Sequence, residues 1–313
     1  MAKTCLAPSA CRSMGVREAL IKYKWFYILA FPGIAYLLLF KIAPIWGLLM
    51  AFQDYNPFLG FWASEWVGIA NFQELVTSRE FGWMLRNTFA INLLKLVFFF
   101  PAPILLSLML NEVSHSGYKR LMQSLVYLPH FLSWVVIATL TLFLLSTDFG
   151  IVNKIAIQMG YKPTAYLTDK DNFWTIIVAQ GIWRETGWGT IIFLASMSGI
   201  DMELYEAARI DGAGRMRQIW HVTLPGIRGT IVTLLILRLG QIFDTGFEQI
   251  ILMSNALVRN VSVVFDTYAY TQGIVRGKIS AGVAVGLFKS MVGLIFVVAA
   301  NKVSKKLGYD GIY

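Results

Sequence analysis

Arg184, Arg238, Asp244 and Glu248 are charged side chains set inside long apolar runs, accompanied there by Gln180, Trp188, Gln241 and Thr245. Ionisable groups at membrane depth are costly and face a protein interior or a water-filled cavity. Arg238, Gln241, Thr245 and Glu248 fall at i, i+3, i+7 and i+10, with Asp244 at the edge, which predicts one polar stripe along a helix. Gln180, Arg184 and Trp188 recur at i, i+4 and i+8 and set donors beside an aromatic face. That pairing suits a sugar, which presents apolar C–H faces as well as hydroxyl rims. The two arginines admit two readings. Either they pair with Glu185, Asp244 or Glu248 across helices and hold a bundle together, or they meet an acidic saccharide such as a uronate oligomer. Arg184 and Glu185 are not expected to pair on their own helix, since sequence neighbours point about 100° apart.

No constellation for covalent or metal chemistry accompanies them. A phosphate-binding Gly-x4-Gly-Lys-Ser/Thr loop is absent from the sequence; Gly273 to Lys278 has the wrong spacing, with Ile279 where the hydroxyl belongs. His115, His130 and His221 are the only histidines, and neither cysteine, Cys5 or Cys11, is near them, so no metal-ligand spacing is recognisable. His130 follows Pro129 and fits a kinked helix better than a ligand set. The chain is expected to have no catalytic residues and no cofactor of its own.

The elements that position these groups follow from composition. Of 313 residues 57% are apolar and 14% charged, with a net charge of +9. Soluble domains carry about a quarter charged residues, so much of this surface must face lipid. Six stretches long enough to span a bilayer are predicted, at 25–52, 88–110, 121–145, 173–200, 227–253 and 280–300. Each must be helical, because an isolated span satisfies its backbone only through its own hydrogen bonds. Residues 1–24 form an N-terminal tail, 25–301 one membrane domain and 302–313 a C-terminal tail. Most Lys and Arg outside the spans, including Lys22, Lys24, Lys119, Arg120, Arg215, Arg217, Lys305 and Lys306, fall on the side that holds both tails, which predicts both termini in the cytosol. The basic charge therefore points to membrane orientation and not to nucleic acid. Aromatic residues between Gln53 and Asn87, such as Phe58, Trp62 and Trp66, suit an interfacial belt or a partner-recognition surface. Gly282 and Gly286, spaced as Gly-x3-Gly, predict close helix packing.

Between the fourth and fifth spans lies a connector, 201–226, too specific to be a simple link. Glu203 to Ile210 reads as a short helix with acidic residues in its first turn, and Gly212 with Gly214 ends it. Ile219, Trp220, Val222 and Leu224 then supply apolar anchors, and Pro225 marks the start of the next span.

The connector resembles the loop of ABC importer permeases written Glu-Ala-Ala, three residues, Gly, nine residues, Ile, one residue, Leu-Pro. Here it reads Glu206-Ala207-Ala208, Gly212, Val222, Leu224 and Pro225, with Val replacing Ile. Asp211-Gly212-Ala213 is similar to the carbohydrate-uptake branch, and further matches lie at Gly68 to Phe72, Asn87-Thr88, Tyr127 to Pro129 and from Thr245 to Leu307. These resemble permeases of complex-saccharide importers of the alginate and rhamnogalacturonan type. The resemblance implies an all-α integral membrane protein of the type I ABC importer fold, with six transmembrane helices and a cytosolic coupling helix between the fourth and fifth. It implies that Glu206 makes a charged contact with a cytosolic ATPase, that Ala207 and Ala208 form a close-packed face, and that Gly212 makes the turn. It further implies a second, homologous permease chain, two ATPase subunits that bind ATP and Mg, an extracytoplasmic binding protein, a saccharide substrate and a bacterial plasma membrane. From a different class, a passive channel or membrane sensor without ATP coupling remains open, although such a protein has no use for the connector.

Overall fold

A computed structural model describes residues 22–306. Cys5, Cys11 and most of both tails lie outside the described residues. The chain divides into Met1–Leu49 and Met50–Tyr313. The first unit contributes most of helix α1, Lys24–Phe52. This helix is apolar on all faces and none of its residues up to Leu49 is buried. Pro32 and Pro44 each remove a backbone donor. A π-helical turn at Leu38–Ile42 and 3-10 geometry over Ala43–Phe52 accompany the second of them.

The second unit opens with a folded cap. Gln53 and Asp54 pair antiparallel with Trp66 and Glu65, and α2 (Ala70–Thr77) follows. Asn71 Nδ2 donates to the carbonyls of Ala51 and Gln53, both at 2.9 Å, so the cap is a hydrogen-bonded structure and not a loose loop. Its rings at Phe58 and Trp62 remain 97% and 91% exposed.

Then come α3 (Phe81–Asn111), α4 (Ser116–Phe131), α5 (Trp134–Leu145) and α6 (Ile151–Gln158). The 29-residue helix α7 (Lys170–Ser198) is followed by α8 (Met202–Ile210) and α9 (Arg215–Gly240). Two short helices, α10 (Phe247–Met253) and α11 (Phe265–Tyr270), lead to α12 (Ile279–Lys306).

Among the described residues four helices, α1, α3, α9 and α12, are long and apolar enough to cross a membrane; the bent pair α4–α5 makes a fifth if counted as one span. The expected count of six is thus reached only in part. α7 has the length but places Gln180, Arg184 and Glu185 in its middle. The predicted span 121–145 is not straight: α4 and α5 meet at 99°, with Pro129 in the 3-10 turn Leu128–Phe131 that ends α4 and extended backbone at Leu132 and Ser133. The predicted span 227–253 is not continuous either, because α9 stops at Gly240 and helix resumes only at Phe247. Nor does Pro225 open that span, since α9 already begins at Arg215. A π-helical turn, Ile219–Thr223, precedes the proline and absorbs its missing donor within a continuous helix.

Three apolar clusters hold the unit together. At the start of α7, Phe173 and Ile177 pack with Ile91 of α3, Ala138 of α5 and Ile250 of α10. At its end, Phe193 and Met197 pack with Leu108 of α3 and Ile227 of α9. A third cluster joins Met84, Phe243, Phe265 and Val285. Ile177 and Phe193 are 16 residues apart, about 24 Å along a helix, and the span of α7 between them carries Gln180, Arg184 and Glu185. Close approach is bought with glycine at Gly187, where an added Cβ would lie 1.8 Å from the Val126 carbonyl oxygen. Gly282 similarly faces Gly273, its added Cβ meeting that Cα at 2.9 Å, whereas Gly286 faces open space, so only the first glycine of the pair makes the expected close contact.

Candidate functional site: a charged cavity at two helix breaks

The middle of α7 opens on a cavity of about 370 Å³ that also touches α3, the α4–α5 bend and the α9–α10 break. A helix break frees backbone carbonyls that need partners. At the first break Arg184 Nε donates to the Leu132 carbonyl at 3.1 Å. At the second, Lys95 Nζ of α3 donates to the Thr245 carbonyl at 2.8 Å. Gly246 makes the second turn possible: its φ of +87° lies in the left-handed region that glycine alone enters without penalty.

Arg184 also contacts Glu185, and its guanidinium lies 4.7 Å from the centre of the Trp134 ring. The expectation that these two neighbours do not pair is therefore wrong. Both side chains are long enough to turn into the same cavity, so a difference of direction at the backbone does not prevent contact at the tips. Glu185 Oε2 in turn shares a 2.8 Å hydrogen bond with His130 Nδ1, and the His130 ring stacks on Trp188 at 4.4 Å with 6° between planes. His130 thus sits at the kink and fastens it to α7.

Arg238, Gln241 and Asp244 line the same cavity, but they do so from a broken helix and an irregular turn. The regular stripe through Arg238, Gln241, Thr245 and Glu248 does not form. Thr245 is fully buried, and Glu248 is exposed and outside the cavity lining. Gln180 is also absent from this lining: it is buried, donates to Thr141 Oγ1 at 2.7 Å and accepts from Gln249 Nε2 at 3.0 Å. Lys95, Phe99, Trp134, Glu185, Gly246 and Gln249 complete the wall. Sequence spacing passed over Lys95 and Gln249 because their partners come from other helices; Lys95 bonds to a residue 150 positions away. A lone lysine in an otherwise apolar run was the available signal. Three cations and two carboxylates leave the lining with one net positive charge, beside the rings of Phe99, Trp134 and Trp188. Such a wall offers donors and cations to hydroxyls and carboxylates, and flat apolar faces to sugar rings.

At one end of the unit α8 forms a separate feature. Asp201 Oδ1 accepts from the Glu203 amide at 3.0 Å and caps its start. Gly212, with φ +75°, ends it, and the Ala213 amide donates to the Ala208 carbonyl at 2.8 Å in a glycine-terminated cap. Glu206, Ala207, Asp211, Gly212 and Pro225 are exposed, while Ala208, Ala213 and Leu224 are half-buried. Tyr205 and Thr223 share a 2.9 Å hydrogen bond between their hydroxyls, tying α8 to the start of α9. Among the described residues no group of three His, Cys, Asp or Glu side chains could hold a metal ion.

Residues 99–309 match the family model described as binding-protein-dependent transport system inner membrane component. The chain is 49% identical over 305 residues to Protein LplB of Bacillus subtilis (strain 168), covering 97% of this chain and 96% of that protein. It is 48% identical over 294 residues to the polygalacturonan/rhamnogalacturonan transport system permease protein YteP of the same organism, covering 94% and 92%. A chain of a bacterial alginate ABC transporter, solved in complex with an alginate pentasaccharide-bound periplasmic protein, superposes with a TM-score of 0.87 at 36% identity, covering 95% of this chain and 99% of that one. With the family model matching residues 99–309, all of α4 to α12, the chain belongs to the family of inner membrane components of binding-protein-dependent transport systems, the permease subunits of ABC importers.

Proposed function

We propose that this chain is one permease subunit of an ATP-driven importer that carries an oligosaccharide, acidic in character like a uronate oligomer, across a bacterial plasma membrane. In this reading α7 and the bent pair α4–α5 join α1, α3, α9 and α12 as six spans, with both termini and α8 in the cytosol. An extracytoplasmic protein delivers the saccharide, and a second, different permease chain completes the route. Two separate ATPase subunits bind ATP and Mg, and their closure moves α8 as a rigid lever.

The observation that carries the reading is the cavity midway along α7, where Lys95, Arg184 and Arg238 share a wall with Phe99, Trp134 and Trp188. The polygalacturonan/rhamnogalacturonan permease and the alginate transporter support the choice of substrate class. A capped and exposed α8 on the same chain supports energy coupling. Replacing Gly212 by Val strains the left-handed turn that ends α8. The variant is expected to insert and assemble with its partners yet hydrolyse ATP without uptake of saccharide; unchanged coupling would contradict the role given to α8.

A further inference from the structure

Three cations line the cavity, and their partners differ. Arg184 is occupied: it contacts Glu185 and donates to the Leu132 carbonyl at 3.1 Å. Lys95 donates once, to the Thr245 carbonyl at 2.8 Å, and has no carboxylate within 4.0 Å among the described residues. An ammonium carries three donors, so this lysine is fixed in place with donors to spare. Arg238 likewise has no carboxylate within 4.0 Å among the described residues; its guanidinium carbon lies 5.4 Å from the centre of the Phe99 ring. A ring face holds a guanidinium while leaving its hydrogen-bonding edge free. Asp244, a carboxylate of the same wall, makes no ion pair with either of them: its Oδ1 accepts from the Gly246 amide at 3.3 Å, and Lys289, 4.0 Å away, is paired with Asp266.

We propose that Lys95 and Arg238 together form a binding site for a sugar carboxylate, with Arg184 serving to position the α4–α5 bend and not to read the substrate. The inference rests on the cavity being the saccharide route. It assigns acid selectivity to a lysine of α3 and an arginine of α9, so that one uronate unit bridges two helices. The rings of Trp134 and Trp188 stand on the same wall for the apolar face of a neighbouring sugar.

The test uses the complete transporter in lipid nanodiscs, with trigalacturonate and its carboxyl-reduced neutral counterpart as probes in equilibrium binding without the extracytoplasmic protein. Wild-type complex is expected to bind the acidic probe at least about tenfold more tightly than the neutral one, as a charge-assisted contact implies. Lys95→Met and Arg238→Met should each remove most of that preference, and Lys95→Arg and Arg238→Lys should restore part of it. Equal affinity of wild type for the two probes overturns the proposal, and so does a loss that affects both probes alike, which marks a packing role. Co-purification of the ATPase subunits with each variant controls for assembly. ATP-dependent uptake by wild type in the same preparation tests the importer reading separately: uptake with no acid preference removes only the carboxylate site, whereas no uptake of any saccharide removes the reading beneath it.

Discussion

The two helix breaks at the cavity reach the same result by different means. At Leu128–Phe131 a proline interrupts the helix from within, and the bend is held three times over, by Arg184 on the Leu132 carbonyl, by His130 with Glu185 and by His130 on Trp188. At 241–246 there is no proline. The break depends on Gly246 with a positive φ and on Lys95, a cation from a helix 150 residues earlier in the sequence. The first break has a proline of its own and three contacts from α7; the second has no proline and is fixed by one cation from α3 and by the burial of Phe243 and Thr245. With a single side-chain tie to its freed carbonyl, the α9–α10 turn is the more adaptable side of the cavity wall.

That contrast can be broken at its firmest point first. Gly187→Val forces a side chain against the Val126 backbone, which no rotamer change relieves, and should cost about 3 kcal/mol or more through separation of α4 from α7. Thermal unfolding of the purified protein in detergent would register it as a large drop in midpoint, and a midpoint near wild type would show that α4 does not pack there. Lys95→Met keeps the aliphatic bulk but leaves the Thr245 carbonyl unpaired, at about 1–3 kcal/mol. Denaturant titration should show the loss and a partial recovery in Lys95→Arg; equal stability of all three proteins would remove the tertiary anchor from the picture. Gly246→Ala strains the same turn by about 1–2 kcal/mol. Its protease sensitivity at 241–246 should rise, and no change would mean that the turn tolerates a Cβ. Pro129→Ala is expected to have the smallest effect, under about 1 kcal/mol, because the surrounding contacts still impose the bend. A loss comparable to that of Lys95→Met would reverse the comparison between the breaks.

The first half of the connector was legible in the sequence, while its second half, from Arg215, proved to belong to α9. Its acidic start, its Ala pair and its Gly212 terminus act through neighbours three or four positions away, and the structure bounds the helix at Met202–Ile210 against an expected Glu203 to Ile210. The expected stretches 25–52, 88–110 and 280–300 fall within α1, α3 and α12 for a related reason, since hydropathy is a local sum, whereas 121–145 is bent and 227–253 is broken. The cavity was legible only in part. Arg184, Trp188, Arg238, Gln241 and Asp244 do line it, but the regular stripe that holds Arg238 and Gln241, with Asp244 at its edge, requires a continuous helix, and α9 stops at Gly240. Gly240 and Gly246 are the local marks of the stop, but the lysine that stabilises it is supplied by another helix. Gln180 was misread for the complementary reason: a polar group at membrane depth satisfies the same spacing whether it faces a cavity or, as here, Thr141 and Gln249 in the packed interior.

The most direct test is uptake of a labelled galacturonate oligomer by proteoliposomes that hold the permease pair and its ATPases, with the extracytoplasmic binding protein supplied outside. Accumulation against a gradient that requires both hydrolysable ATP and the binding protein, and that Gly212→Val abolishes without stopping hydrolysis, is the expected result. Equilibration of the oligomer without ATP would instead identify a passive pore and contradict an energised import function for this chain.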